Sequence, residues 1–275
     1  MELFVTDLDG TLINSKREVP KKSVKILNEL INQGVNFTVA TARTPATAVE
    51  ILQDLDLKLP VALMNGVLIY DTRELKYIDI KRIEKESANK VLDIFKSYNK
   101  NPLVYGVKDN HLWVYHKEFE NVYEYNFYKE RTDKKLKTFV KIENYKESII
   151  ESNIINFVAF DDYEKIKAIA EEISDVEGVT VNYYKDVYED CYFLEAYSSE
   201  ASKANGIKYL SKYIDYSKVI CFGDNLNDIP MFELANEAYA TANAAEEIKK
   251  IATDVIGSCE DDGVAEFLVN RFKTK

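Results

Sequence analysis

A strand, a helix and a second strand read from the start of this chain constrain its fold more than any other feature. The apolar run from Leu3 has the length and β-branched content of a short buried strand, and it is broken by Asp7, Asp9 and Gly10. After a polar turn from Asn14 to Pro20, Val24, Leu27, Leu30 and Ile31 fall on one face of a helix that Gly34 stops. Val35 to Ala40 reads as the next buried strand and ends in Thr41-Ala42-Arg43. A βαβ unit of this length implies a right-handed crossover and parallel pairing, which brings Thr41 to the sheet edge that carries Asp7 and Asp9. Ligands of parallel α/β sheets bind beyond the carboxyl ends of the strands, so this edge is where chemistry is expected.

Alternation along a strand would send Asp7 and Asp9 to one side and bury Leu8 on the other. Two close carboxylates repel unless a cation neutralises them or one takes a proton. The pair therefore implies either a divalent metal or a nucleophile beside a general acid, although Asp-x-Asp-Gly alone also fits a turn before a helix. Val219 to Phe222 reads as a further buried strand, ending in Gly223-Asp224-Asn225-Leu226-Asn227-Asp228, a polar turn that suits a hard cation with oxygen ligands. Lys203 opens an amphipathic helix with Ile207, Leu210 and Ile214 on one face. A cation in a first helical turn opposes the helix dipole, a placement that makes sense where an anion must be held.

Asp7-Leu8-Asp9-Gly10-Thr11-Leu12 resembles the first motif of the haloacid dehalogenase (HAD) superfamily, most of whose members are magnesium-dependent phosphatases. Thr41, Lys203 and the Gly-Asp-x-x-Asn-Asp of residues 223 to 228 resemble its second, third and fourth motifs. Asn65-Gly66, Ala240 to Ala244 and Glu260 to Ala265 are similar to segments of the Cof-type (IIB) subfamily, though as isolated stretches they also read as a turn and as helix entries capped by Asn243 and Asp261 or Asp262. The chain departs from the usual Cof-type Ser-Lys-Gly in having Ala204, and it reads Ser198-Ser199-Glu200-Ala201 where that subfamily often has Pro and Gly.

About 160 residues separate Thr41 from Lys203, so a second domain is expected between the second and third motifs. Segments 85 to 98 and 163 to 174 read as helices, and 102 to 107, 111 to 116, 154 to 160, 177 to 184 and 190 to 196 as strands, without βα alternation. Thirteen of the 19 tyrosines fall between Tyr98 and Tyr197, a shift in composition that supports a separate unit. The expected architecture is α/β: a Rossmann-like parallel-sheet core from residues 1 to 81 and 197 to 275, with an inserted α+β domain from 82 to 196 that the resemblance implies is a C2B cap. Lys117 to Lys146, dense in charged and aromatic residues, gives no clear pattern.

The resemblance implies an Mg²⁺-dependent hydrolase of a small phosphomonoester, a sugar phosphate or similar metabolite. It implies Asp7 as nucleophile, Asp9 as general acid and base, and a metal site of Asp7, Asp224 and the Asp9 backbone carbonyl. Gly10, Thr41, Lys203 and Asn227 would bind phosphate, with Asp228 in support and Arg43 left without a role. A phosphomutase with the same type of cap is the alternative within enzymes. A non-catalytic phospholigand-binding regulator is the alternative outside them, disfavoured because both Asp7 and Asp9 are present.

A net charge of −11 argues against nucleic acid or anionic membrane as a partner. The first strand begins so near Met1 that no signal peptide is expected, and no apolar run nears the roughly 18 residues of a spanning helix, so a cytoplasmic location is expected. Cys191, Cys221 and Cys259 lack disulfide or zinc spacing and are expected as free thiols. His111 and His116, the only histidines, lie five apart on one expected strand and so make a poor shared metal site.

Overall fold

In the computed structural model, which describes residues 1–146, 151–185 and 190–273, the opening βαβ unit is β1 (Glu2–Thr6), α1 (Lys21–Asn32) and β2 (Asn36–Val39). β1 and β2 pair in parallel, with Leu3 opposite Asn36 and Thr6 opposite Val39. Leu27, Leu30 and Ile31 are the buried apolar residues of α1, which ends two residues before Gly34 adopts a positive φ. After α2 (Pro45–Leu52), a three-stranded sheet forms from β3 (Val61–Leu63), β4 (Leu68–Asp71) and β5 (Lys76–Ile80). A single parallel bridge, Ala40 to Ala62, ties β3 to the strand before it. The chain then leaves the first of two compact units, Met1–Asp79 with Ser202–Lys275, for the second, Ile80–Ala201.

The second unit is α3 (Lys85–Ser97), β6 (Leu103–Lys108), β7 (His111–His116), α4 (Val122–Arg131), β8 (Lys137–Lys141), β9 (Asn153–Asp161), α5 (Tyr163–Ser174), β10 (Val179–Lys185) and β11 (Tyr192–Ser198). Its strands lie in the order β10-β11-β9-β6-β7-β8, antiparallel except where β8 joins β7 in parallel. α3 and α5 pack on one face of this sheet, burying Phe95, Phe157, Ile169 and Leu194 completely.

The stretch that gives no clear pattern in the sequence holds α4 and β8. Aromatic residues are spread around α4 rather than along one stripe, and the helix residue it buries is Glu124. That carboxylate pairs with Lys100, whose buried ammonium donates to Glu124 Oε1 at 2.5 Å and to the Phe160 carbonyl at 2.7 Å and lies 3.0 Å from Asp161. A buried charge is tolerated only when it is partnered in this way.

His111 contacts Thr138 Oγ1 at 2.9 Å, and His116 stacks on Phe119, so both serve the packing of this unit. Tyr183 and Tyr184 are exposed, while Tyr192 packs against the unit's own core.

From Ser202 the first unit is completed by α6 (Lys203–Tyr209), β12 (Lys218–Gly223), α7 (Ile229–Leu234), β13 (Glu237–Thr241), α8 (Glu246–Ile251), β14 (Asp254–Ile256) and α9 (Gly263–Lys273). α6 stops at Tyr209 and tightens into a 3₁₀ turn, so Ile214 falls outside the helix on which the sequence pattern placed it. The main sheet is wholly parallel in the order β14-β13-β12-β1-β2.

Alternation divides its side chains. Leu3, Val5, Val219 and Cys221 join Ile207, Met231 and Ile248 on one face, while Phe4 and Phe222 meet Phe272 and Phe267 of α9 on the other. Each large side chain so buried contributes about 1.5–3 kcal/mol. The three cysteines are buried free thiols. No helix among the described residues is long and apolar enough to cross a membrane.

Before the insertion the strands run outward from β1 through β2, and after it they run outward the other way from β12 through β14. The order therefore reverses between β1 and β12, which opens a crevice at their carboxyl ends.

β3 ends in a strained turn beside that edge, with Met64, Asn65 and Gly66 at φ 50°, 54° and 88°. Left-handed non-glycine residues cost on the order of 1–3 kcal/mol each and persist only where the surroundings hold them. Here Met64 N–H donates to the Arg43 carbonyl at 3.0 Å and Asn65 N–H to the Thr41 carbonyl at 2.9 Å. A Cβ on Gly66 would lie 2.1 Å from the Ser202 carbonyl oxygen, just before Lys203. Gly66→Ala is expected to destabilise the protein by more than about 1 kcal/mol, read as a lower urea midpoint; an unchanged midpoint would show that this close approach is not fixed.

Candidate active site

β1 ends at Thr6, not at Asp9. The Asp7 N–H still donates to the Phe222 carbonyl at 2.9 Å, but the chain then turns tightly, and the Leu8 carbonyl accepts the N–H groups of Thr11, Leu12 and Ile13. The pleat therefore does not set the directions of the two acids, as strand alternation would have it. The turn places them in different environments: the Asp7 side chain is 6% exposed and that of Asp9 is 55% exposed.

Lys203 is the first residue of α6, whose N-cap is Ser202 accepting the Asn205 N–H at 3.0 Å. Its fully buried ammonium donates to Asp7 Oδ1 at 2.7 Å and to Asp228 Oδ1 at 2.6 Å. The other oxygen of Asp228 accepts the N–H groups of Asp224 at 2.9 Å and Asn225 at 3.0 Å. Asp228 thus fastens the turn after β12 to the lysine.

Burial works to lower the lysine pKa, yet Asp7 and Asp228 outweigh it and hold the group above the usual lysine range. Burial pushes the Asp7 carboxyl up to about 7, against the pull of Lys203 and with the repulsion of Asp228 and Asp224 added. Asp224 is pushed up to about 6, first by burial and then by Asp228.

Carboxylate oxygens of Asp7, Asp224 and Asp228 lie within 4.8 Å of one another. One ammonium cannot neutralise three such groups, and their mutual repulsion adds to the burial that raises Asp7 and Asp224. With both oxygens of Asp228 already engaged, Asp7 Oδ2 and the Asp224 carboxylate are the ones left to hold a cation, and an all-oxygen set suits a hard divalent ion. The Asp9 carboxylate is not in this cluster.

Gly10 makes room for the cluster. It has φ 71°, and a Cβ there would lie 2.3 Å from Asp224 Oδ2. Its carbonyl accepts from Asn243 Nδ2 at 2.7 Å and from Thr241 Oγ1 at 3.2 Å, while Thr11 Oγ1 donates to Asp224 Oδ1 at 3.1 Å. Asn243 therefore anchors the Gly10 turn and is not the N-cap of α8, which is Ala245.

The remaining residues singled out in the sequence lie around this group. Thr41 is buried, and its hydroxyl accepts the Arg43 N–H at 3.2 Å. Asn227 is exposed on the turn after β12, with Nδ2 3.4 Å from Asn65 Oδ1. The residue that sequence reasoning left unassigned is Arg43. It holds both oxygens of Asp9, with Nε to Oδ2 and one terminal nitrogen to Oδ1, each at 2.6 Å. Its place two residues after Thr41 at the same sheet edge was the available signal.

A family model described as haloacid dehalogenase-like hydrolase matches residues 4–268. Among curated relatives, the Bacillus subtilis protein named 5-amino-6-(5-phospho-D-ribitylamino)uracil phosphatase YitU is 24% identical over 98% of this chain and 97% of its own length. Phosphatase YwpJ of the same organism is 27% identical, covering 98% of this chain and 99% of its own. Among solved structures, TM0651 from Thermotoga maritima superimposes with a TM-score of 0.77 at 24% identity, over 98% of this chain and 96% of its own. The HAD subclass IIB sugar phosphatase BT4131 superimposes with a TM-score of 0.74 at 20% identity, over 98% of each chain. Hydrolases of this family generally use a divalent metal ion, which the surplus carboxylate charge around Asp7 fits. The chain belongs to the haloacid dehalogenase-like hydrolase family, in its Cof-type branch, and is a phosphatase.

Proposed function

We propose that this phosphatase hydrolyses a small phosphomonoester in two displacements, through an aspartyl-phosphate on Asp7. The observation that carries the reading is the buried Asp7 carboxylate, which Lys203 holds through Oδ1 beside the carboxylates of Asp224 and Asp228. A nucleophile so oriented needs no search for its attacking geometry.

In the first displacement Asp7 attacks phosphorus, the bond from phosphorus to the alcohol oxygen breaks, and Asp9 supplies the proton that oxygen takes up. In the second, Asp9 takes a proton from water, the water oxygen bonds to phosphorus, and the bond to Asp7 breaks. Gly10, Thr41, Lys203 and Asn227 hold the phosphoryl oxygens, where charge gathers in the transition state. An Mg²⁺ ion held by Asp7, Asp224 and the Asp9 backbone carbonyl would neutralise phosphoryl charge. The inserted unit, in this reading, is a C2B cap domain.

The relative named for a phosphorylated ribitylaminouracil and the neighbour named as a sugar phosphatase support a phosphorylated sugar or sugar alcohol as the substrate class. Phosphate release measured across a panel of such esters tests this, with the highest kcat/KM expected for a sugar or polyol monoester. Release from none of them would remove the proposed class.

Activity is expected to require Mg²⁺ and to be suppressed when Ca²⁺ replaces it. Mg²⁺ keeps a tight octahedral shell, whereas Ca²⁺ accepts more ligands at longer range and can take both oxygens of one carboxylate, withdrawing the nucleophile. Undiminished phosphate release after exhaustive chelation would contradict the metal assignment.

A further inference from the structure

We propose that Arg43 is a positioning residue that fixes the Asp9 carboxylate for proton transfer to the leaving group. The inference rests on the reading of Asp9 as the general acid and adds a residue that none of the four motifs supplies.

The Asp9 side chain is 55% exposed, and among the described residues its only hydrogen-bond partner is the Arg43 guanidinium, through two bonds of 2.6 Å. Left alone, an exposed carboxylate would sample several rotamers, and most of them would aim its oxygens away from any one acceptor. Two parallel charge-assisted bonds from a planar fork fix the carboxylate plane as well as its position, which a single point charge cannot do.

Arg43 is itself held at both backbone groups. Its N–H donates to Thr41 Oγ1 at 3.2 Å, and its carbonyl accepts from Met64 N–H at 3.0 Å. The fork is therefore tied to the strained turn after β3 and to the threonine expected to touch phosphate, so the acid is referenced to the same framework as the phosphoryl site. Side-on binding uses one lone pair on each Asp9 oxygen and leaves the others facing outward, so the clamp does not block proton transfer.

The test compares kcat and KM of Arg43→Ala, Arg43→Lys, Asp9→Asn and the Arg43→Ala/Asp9→Asn double variant. Two substrates are used: p-nitrophenyl phosphate, whose leaving group needs no proton, and an alkyl phosphate, whose alcohol does. Arg43→Ala is expected to lower kcat for the alkyl ester by about tenfold to a hundredfold, with KM nearly constant and a loss of no more than about threefold on the aryl ester. Arg43→Lys should recover part of the loss, and added guanidinium should rescue Arg43→Ala but not Asp9→Asn. In the double variant the loss should not exceed that of Asp9→Asn alone, because Arg43 acts through Asp9.

Equal losses on both esters with a raised KM would make Arg43 a phosphate-binding residue and overturn the proposal, as would additive losses in the double variant. If Asp9→Asn itself showed no dependence on the leaving group, the reading of Asp9 as the acid would fall and the proposal with it. A dependence in Asp9→Asn that is absent from Arg43→Ala would remove the proposal alone.

Discussion

Asp7→Asn is expected to reduce kcat by about four orders of magnitude or more while leaving the protein folded. An amide oxygen is a far poorer nucleophile than a carboxylate, and deleting a nucleophile from machinery that acts as a unit brings the rate close to what binding and electrostatics alone provide. The fold should survive because the substitution is nearly isosteric: the Asn oxygen can still accept from Lys203 Nζ, as Asp7 Oδ1 does at 2.7 Å. It also removes a charge from beside Asp228 and Asp224, both of which raise the Asp7 pKa. Urea unfolding should therefore give a midpoint near that of the parent, and phosphate release should be at background. Parent-like release from the purified variant would show that Asp7 is not the nucleophile.

Lys203→Met is expected to be the most damaging single change to stability in this site. The lysine side chain is fully buried and bonded to two carboxylates, one of them 6% and the other 0% exposed. Removing the cation leaves two like charges buried against each other, and breaking a buried pair in this way costs about 3–5 kcal/mol. Against a total stability of about 5–15 kcal/mol, that is enough to unfold much of the population on mild warming. The variant should also lose phosphate release, since the same ammonium orients Asp7. Adding Asp228→Asn to Lys203→Met removes one of the stranded charges and should restore part of the stability without restoring activity. Equal unfolding midpoints for the parent and Lys203→Met would show that the carboxylates find another partner, contrary to the network described here.

How far such a site can be read from sequence depends on whether each residue's role is local. Lys203, Asp224 and Asp228 follow from local pattern: a cap residue, a helix start, and a polar turn after a buried run. The long-range sheet order that brings them to Asp7 follows from βαβ handedness. The second unit was readable where alternation and amphipathicity were clean, as in β7 and α5, whose bounds match the sequence pattern closely.

Reading failed at α4, because the helix buries a glutamate against Lys100 instead of an apolar stripe, and no periodicity betrays an ion pair whose members are 24 residues apart. The directions of the two motif acids were not legible from strand alternation. Strand alternation was applied to Asp7 and Asp9, yet the backbone leaves the strand after Thr6 for a turn closed by the Leu8 carbonyl, a choice that depends on Gly10 fitting against Asp224. Arg43 had no role in the sequence pattern and Asn243 read there as a helix cap, for one common reason. Their partners, Asp9 and the Gly10 carbonyl, come from other parts of the chain, and a hydrogen bond across 34 or 233 residues leaves no mark on local spacing.

A covalent intermediate at Asp7 leaves its mark on the stereochemical course at phosphorus. Each in-line displacement inverts phosphorus, so two in succession restore the starting configuration, whereas a single attack by water leaves it inverted. A phosphomonoester carrying an isotopically chiral phosphoryl group, turned over in labelled water, is expected to give inorganic phosphate with net retention. Net inversion would mean that water attacks the substrate directly, with no aspartyl-phosphate, and would contradict the central claim.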